Sequence, residues 1–190
     1  MKLFEKYYQI VKIFEKNKNY TRVNISDFNI KFKHKVTSRY IVLKYRTFNI
    51  EINFLDECER LGRKNGPAVI TLNSNGIIIR KIWCCENYYN RDDGPTIVSY
   101  YENGSIEGEY WYSHDELHRK GNPAITNYRQ NGNKIAEMWY LNDELHREDG
   151  AAIIMFDRNG AIMNKQYFLK GKEIDELQFL VYTGSKVESI

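Results

Sequence analysis

Polar and apolar residues alternate along residues 21–36. Ile30, Phe32, His34 and Val36 fall on one parity, and Lys31, Lys33 and Lys35 fall on the other. A period of two predicts a strand with one buried and one solvated side. Tyr40–Tyr45 and Phe48–Leu55 predict two more strands. Upstream, Leu3, Tyr7, Ile10, Val11 and Phe14 recur at helical spacing with charges between them. This predicts an amphipathic helix over residues 3–16, ended by Asn17-Lys18-Asn19 and docked on the first sheet. A membrane-surface helix is the weaker reading, because Glu5 and Glu15 dilute a basic face.

From residue 63 the pattern becomes periodic. Arg63, Arg91, Arg119 and Arg147 lie 28 residues apart. So do the pairs Asn75-Gly76, Asn103-Gly104, Asn131-Gly132 and Asn159-Gly160, and the aromatics Trp83, Trp111, Trp139 and Tyr167. A fixed period with fixed internal offsets predicts stacked copies of one supersecondary unit.

Each Asn-Gly stands between two apolar-rich runs, which predicts a hairpin with a two-residue type I′ loop. In that register Glu102 faces Ser105, Tyr100 faces Glu107 and Thr96 faces Trp111. The other aromatics face Ala68, Ala124 and Ala152, so a small residue opposes a large one in every copy. Ser113-His114-Asp115-Glu116-Leu117 and Leu141-Asn142-Asp143-Glu144-Leu145 predict a second turn, with Leu169-Lys170-Gly171-Lys172 in the last copy. Arg-x-Asp-Gly-Pro then leads into the next unit, with Gly expected to supply an unusual φ. Asp175-Glu176 ahead of Leu177, Phe179, Leu180 and Val181 predict a short helix covering the last sheet edge.

The expected fold is therefore α+β and β-dominated. It is an elongated antiparallel β-meander of 28-residue hairpin repeats, capped by an N-terminal helix and a short C-terminal helix. Residues 1–37 form a basic helix-and-strand head. Residues 38–62 form a degenerate first repeat, with Thr47-Phe48 in place of Asn-Gly. Residues 63–173 form the regular array, and 174–190 the helical cap and tail.

Charge refines this picture. Residues 1–46 hold twelve Lys/Arg against three Asp/Glu, and the remaining chain holds sixteen against twenty-two. A basic head precedes a mildly acidic body, while the whole chain carries only +3. The three cysteines, Cys58, Cys84 and Cys85, have no metal-ligand spacing and are odd in number. They argue for a reducing compartment such as the cytoplasm. The N-terminus lacks a signal-peptide core, and no run is apolar enough to span a bilayer.

The unit Leu-His-Arg-Glu-Asp-Gly, a strand, Asn-Gly and a strand ending in Trp-Tyr resembles the MORN-variant repeats. These occur in bacterial YwqK-like antitoxin proteins and in giant DNA viruses. The resemblance covers residues 61–173. It implies antiparallel hairpins used for protein contacts, without catalysis and without a cofactor. The shorter eukaryotic MORN unit carries Gly-x-Gly, which these units lack, so its phospholipid binding is not implied.

Few residues suggest chemistry. His118 and His146 occupy equivalent positions and could stack as metal ligands, but Asn90 and Ile174 replace them in neighbouring units. A structural role is expected for them, and no metal site. Arg91 with Asp93 and Arg147 with Asp149 read as turn-closing pairs. The Trp83, Trp111, Trp139 ladder reads as core before it reads as a stacking platform, and Cys84 as a packing residue.

Lys31, Lys33, Lys35, Arg39, Lys44 and Arg46, with Tyr40 and Tyr45 between them, form the one charged patch. They are the expected partner-binding residues. The expected function is a non-enzymatic protein-binding or assembly module: a structural or virion component, or a toxin-neutralising partner. The alternatives are a nucleic-acid or polyanion binder through the basic head, and an enzyme without a recognisable motif.

Overall fold

The computed structural model describes residues 29–35, 38–45, 48–54, 66–85 and 88–184. The helix expected over residues 3–16 lies outside them. The chain divides into two compact units, Met1–Asn87 and Tyr88–Ile190. Both are built from antiparallel strands. The described helix is short and lies near the C-terminus.

In the first unit the strands follow one another in space as they do in sequence. They are β1 (Asn29–Lys35), β2 (Ser38–Tyr45), β3 (Phe48–Phe54), β4 (Val69–Asn73) and β5 (Ile78–Ile82), followed by the two-residue β6 (Cys84–Cys85). Alternation carries across the register. Ile30, Leu43 and Ile50 lie side by side, as do Phe32, Ile41 and Ile52. This apolar row continues into Val69 and Thr71 of β4, both buried. One sheet face is thus apolar across four strands, which fixes the register, since a one-residue slip would expose it.

The second unit opens with β7 (Tyr88–Tyr89). Its main sheet contains β8 (Ile97–Tyr100), β9 (Ile106–Tyr110), β12 (Ile125–Tyr128), β13 (Lys134–Met138), β16 (Ile153–Phe156), β17 (Ile162–Leu169) and β18 (Lys172–Ile174), in that spatial order. Two small hairpins interrupt it. β10 (Tyr112–Ser113) pairs with β11 (Glu116–Leu117), and β14 (Tyr140–Leu141) pairs with β15 (Glu144–Leu145). The helix α1 (Glu176–Thr183) follows β18.

The far ends of the hairpins have the expected register. Ile97 pairs with Tyr110, and the Thr96 N–H donates to the Tyr110 carbonyl at 2.8 Å. The small residues opposite the aromatics, Ala68, Thr96, Ala124 and Ala152, are all 0 % exposed. A larger side chain has no room there. Thr96 is tolerated because its hydroxyl accepts from the Tyr112 N–H at 3.1 Å and donates to the Tyr112 carbonyl at 3.2 Å.

The near ends correct the sequence reading. The Gly104 N–H donates to the Tyr101 carbonyl, and the Tyr101 N–H to the Ser105 carbonyl, both at 2.9 Å. The loop is therefore three residues, Glu102-Asn103-Gly104, with positive φ at Gly104 and not at Asn103. This is a type I turn followed by a glycine bulge, the commonest three-residue hairpin. The longer loop shifts Tyr100 onto Ile106, and not onto Glu107. A bulge between Ser99 and Tyr100 then restores the outer register. The hairpins at Asn73, Arg129 and Asp157 close with the same two bonds.

The type I′ geometry sits at the other turn. His114 and Asp115 have φ of 49° and 73°, and Asn142 and Asp143 of 53° and 63°. Asp and Asn are the non-glycine residues that accept this region most readily.

Gly94 and Gly150 are also corrected. Neither has positive φ. A Cβ on Gly94 would stand 2.6 Å from Arg91 Cζ, and one on Gly150 would stand 3.0 Å from Arg147 Cζ. Glycine is needed there for close approach, not for backbone freedom.

The C-terminal helix forms as its caps dictate. Asp175 accepts from the Gln178 N–H at 2.7 Å, and the Gln178 side chain accepts from the Asp175 N–H, completing a capping box. Gly184 ends the helix in the left-handed region. Phe179 packs on Tyr167 with ring centroids 4.8 Å apart, beside Ala151, Ile154 and Ile174. This helix covers only the Tyr167 end of β17. Ile162 and Met163 remain 53 % and 65 % exposed, so the last edge is not covered as expected.

Candidate functional site

The basic patch is placed by the first hairpin of strands. Lys31, Lys33 and Lys35 share one face of β1. In the β1–β2 register, Val42 stands beside Lys31, Tyr40 beside Lys33, and Lys44 beside Asn29. Lys44 and Tyr40 therefore join the lysine face. Arg39 pairs with His34, so it lies on the opposite, apolar-row face. Arg46 lies outside the described residues. The structure thus gathers four of the six expected residues and separates Arg39 from them. Glu51, across from Val42, adds one acidic position to the lysine face.

The recurring polar residues of the second unit are engaged in holding the scaffold. Arg91 Nε donates to Asp93 Oδ1 at 2.7 Å, and Arg147 Nε to Asp149 Oδ1 at 2.7 Å. The same guanidiniums donate to the carbonyls of Pro95 and Ala151, as Arg119 does to Pro123. In each pair the Arg beside the carboxyl holds Asp93 and Asp149 below the usual carboxylate range.

Arg119 and Arg147 lie over Trp111 and Trp139, with Cζ 3.7 Å and 4.0 Å from the ring centroids. Burial against the ring lowers the Arg119 pKa. Each guanidinium covers one face of its ring, and Trp139 is itself buried. Of the ladder, Trp139 is core, whereas Trp83 and Trp111 are half-buried.

The histidines bridge successive small hairpins. The His118 imidazole Nδ1 meets Asn142 Oδ1 at 2.7 Å, and the Lys170 N–H donates to His146 Nδ1 at 3.1 Å. The two imidazoles contact different turns, and no cluster of metal-ligating side chains forms among the described residues. Cys84 is buried.

The C-terminal end presents a feature that the sequence reading missed. A groove of about 480 Å³ runs along Ile162–Tyr167 and is bordered by Glu173, Ile174, Asp175 and Glu176. Its mostly polar floor and acidic border come from segments that look like ordinary strand and helix cap in sequence. Only their exposure reveals them. Tyr167 borders it, and its hydroxyl donates to Glu176; burial, then this bond, pushes the phenol up to about 12.

No helix among the described residues is long and apolar enough to cross a membrane. No protein-family model, no curated protein and no solved structure matches this chain.

Proposed function

We propose that this chain is a non-enzymatic β-hairpin repeat protein of the MORN-variant kind, working as a protein-binding or assembly module. The observation that supports this most is the engagement of its polar side chains. The Arg, Asp and His residues that recur along the second unit bind backbone carbonyls, backbone N–H groups or each other. They hold the surface of the unit in place. A scaffold that repeats its own clips presents a regular face, which suits protein contact. The partner is a toxin or a component of an assembly such as a virion, met in a reducing compartment.

A second reading rests on the lysine face. Lys31, Lys33, Lys35 and Lys44 share one side of a twisted pair of strands with Tyr40 between them. That arrangement suits a polyanion backbone.

An affinity capture from the native source at two salt concentrations, with and without nuclease, tests both. One protein retained at both salts supports the assembly module. Capture lost with nuclease or with high salt moves the function to the lysine face.

A further inference from the structure

We propose that the open edge of β17 receives β1 of a second copy of this chain, so that copies add head to tail. This rests on the assembly reading above and names its partner.

The edge is built like two edges that are already filled within the chain. On β9, Gly108, Glu109 and Tyr110 pair with Asn127, Thr126 and Ile125 of β12. On β13, Ala136, Glu137 and Met138 pair with Met155, Ile154 and Ile153 of β16. The corresponding stretch of β17 is Asn164-Lys165-Gln166, paired with β16 on its inner side. On its outer side β18 pairs only with Tyr167–Leu169. Gly108 and Ala136 are buried under their strand neighbours, whereas Asn164 is exposed. Ile162 and Met163 beside it on the strand are exposed as well. An unpaired edge of this kind is a template for another strand.

Charge selects the occupant. The groove is bordered by Glu173, Asp175 and Glu176 against the single Lys165. β1 reads Asn-Ile-Lys-Phe-Lys-His-Lys, with three lysines and no acid. It brings a run of positive charge to the acidic border of the groove. Two β1 strands repel each other, and so do two acidic borders, which disfavours both symmetric pairings. The remaining combination is β1 on β17. Because it joins different surfaces of the two copies, every copy keeps one further head or tail to offer until a ring closes.

Sedimentation velocity of the full chain over a concentration series, at low and high salt, tests this. The expected result is self-association that rises with concentration and weakens with salt. A chain that stays monomeric throughout overturns the proposal. Two variants separate the ends: Lys31→Glu/Lys33→Glu/Lys35→Glu removes the head, and Ile162→Asp/Met163→Asp removes the tail. Each alone is expected to sediment as a monomer with wild-type circular dichroism. Mixed, they are expected to form a discrete one-to-one dimer, since one intact head meets one intact tail. Self-association of the lysine variant alone overturns the head-to-tail pairing in favour of a symmetric tail contact. If the chain is monomeric yet still retains a foreign protein in the capture experiment, the proposal falls while the assembly reading stands.

Discussion

Asp143 holds Leu117 at both backbone atoms: its N–H donates to the Leu117 carbonyl at 3.0 Å, and its Oδ1 accepts the Leu117 N–H at 2.7 Å. Asp115 holds Tyr89 in the same way, at 3.2 Å and 2.8 Å. Each aspartate sits in the left-handed region at a two-residue turn, so the turn that closes one small hairpin also clips the preceding segment. In the last copy Gly171 keeps only the backbone bond, to the Leu145 carbonyl at 2.9 Å.

The clip predicts an order among substitutions at Asp143. Asn keeps an oxygen acceptor and tolerates positive φ, so Asp143→Asn is expected to stay near wild-type stability. Asp143→Gly loses the acceptor alone and is expected to cost about 1 kcal/mol. Asp143→Ala loses the acceptor and strains the backbone, for a total of about 2 kcal/mol. Urea unfolding midpoints check the order. Equal stability of the Ala and Gly variants would remove the backbone contribution.

The close approach of Gly94 to Arg91 predicts a coupled pair. Gly94→Ala is expected to displace the guanidinium and break its bonds to Asp93 and the Pro95 carbonyl, costing about 1–2 kcal/mol. In an Arg91→Ala background the three closest atoms to the added methyl are gone, and the same change is expected to be close to neutral. A double-mutant cycle by urea denaturation measures the coupling. Additive effects would show that Gly94 is needed for another reason.

The packed contact at Ala152 predicts sensitivity to volume. Its carbonyl accepts from the Trp139 N–H at 2.8 Å, and its side chain is fully buried. Ala152→Leu is expected to destabilise by about 1–3 kcal/mol through overpacking. Thermal unfolding followed by tryptophan fluorescence reads this directly.

Two tyrosines predict an alkaline signature. Burial, followed by a hydrogen bond to a carboxylate, raises Tyr128 (with Glu109) and Tyr167 (with Glu176), each to about 12. A raised folded pKa favours the neutral phenol in the folded state. The stabilisation is thus complete below the unfolded value, about 10, and is lost as pH rises toward 12. Phenolate absorbance is expected to show Tyr128 and Tyr167 among the late-titrating groups, with Glu176→Gln bringing Tyr167 down. The acidic side has the opposite sign. Arg91 and Arg147 depress Asp93 and Asp149, so their contribution is present above about pH 4 and is lost as pH falls below it. NMR titration of the two carboxylates, before and after Arg91→Gln, checks the cause.

What the sequence by itself determined was local. The alternation in 29–54 placed three strands, and the apolar row Phe32, Ile41 and Ile52 follows from it. Small residues facing aromatics set the outer register, which the pairing of Ile97 with Tyr110 keeps. Asp175 announced α1 through its capping chemistry. Each of these depends on side-chain parity or on neighbours a few residues apart. Tertiary structure decided the rest. Asn-Gly suits a type I′ loop, yet the bulged three-residue loop is found there, because a loop one residue longer still rejoins the same outer register through its bulge. Gly94 carries no backbone signature, since its reason is an arginine packed against it. Asp143 reaches a segment 26 residues away, and nothing in its local pattern encodes that partner. The groove along β17 exists because α1 reaches Tyr167 and stops there. Burial and long-range pairing are properties of assembled strands, and parity along one strand does not contain them.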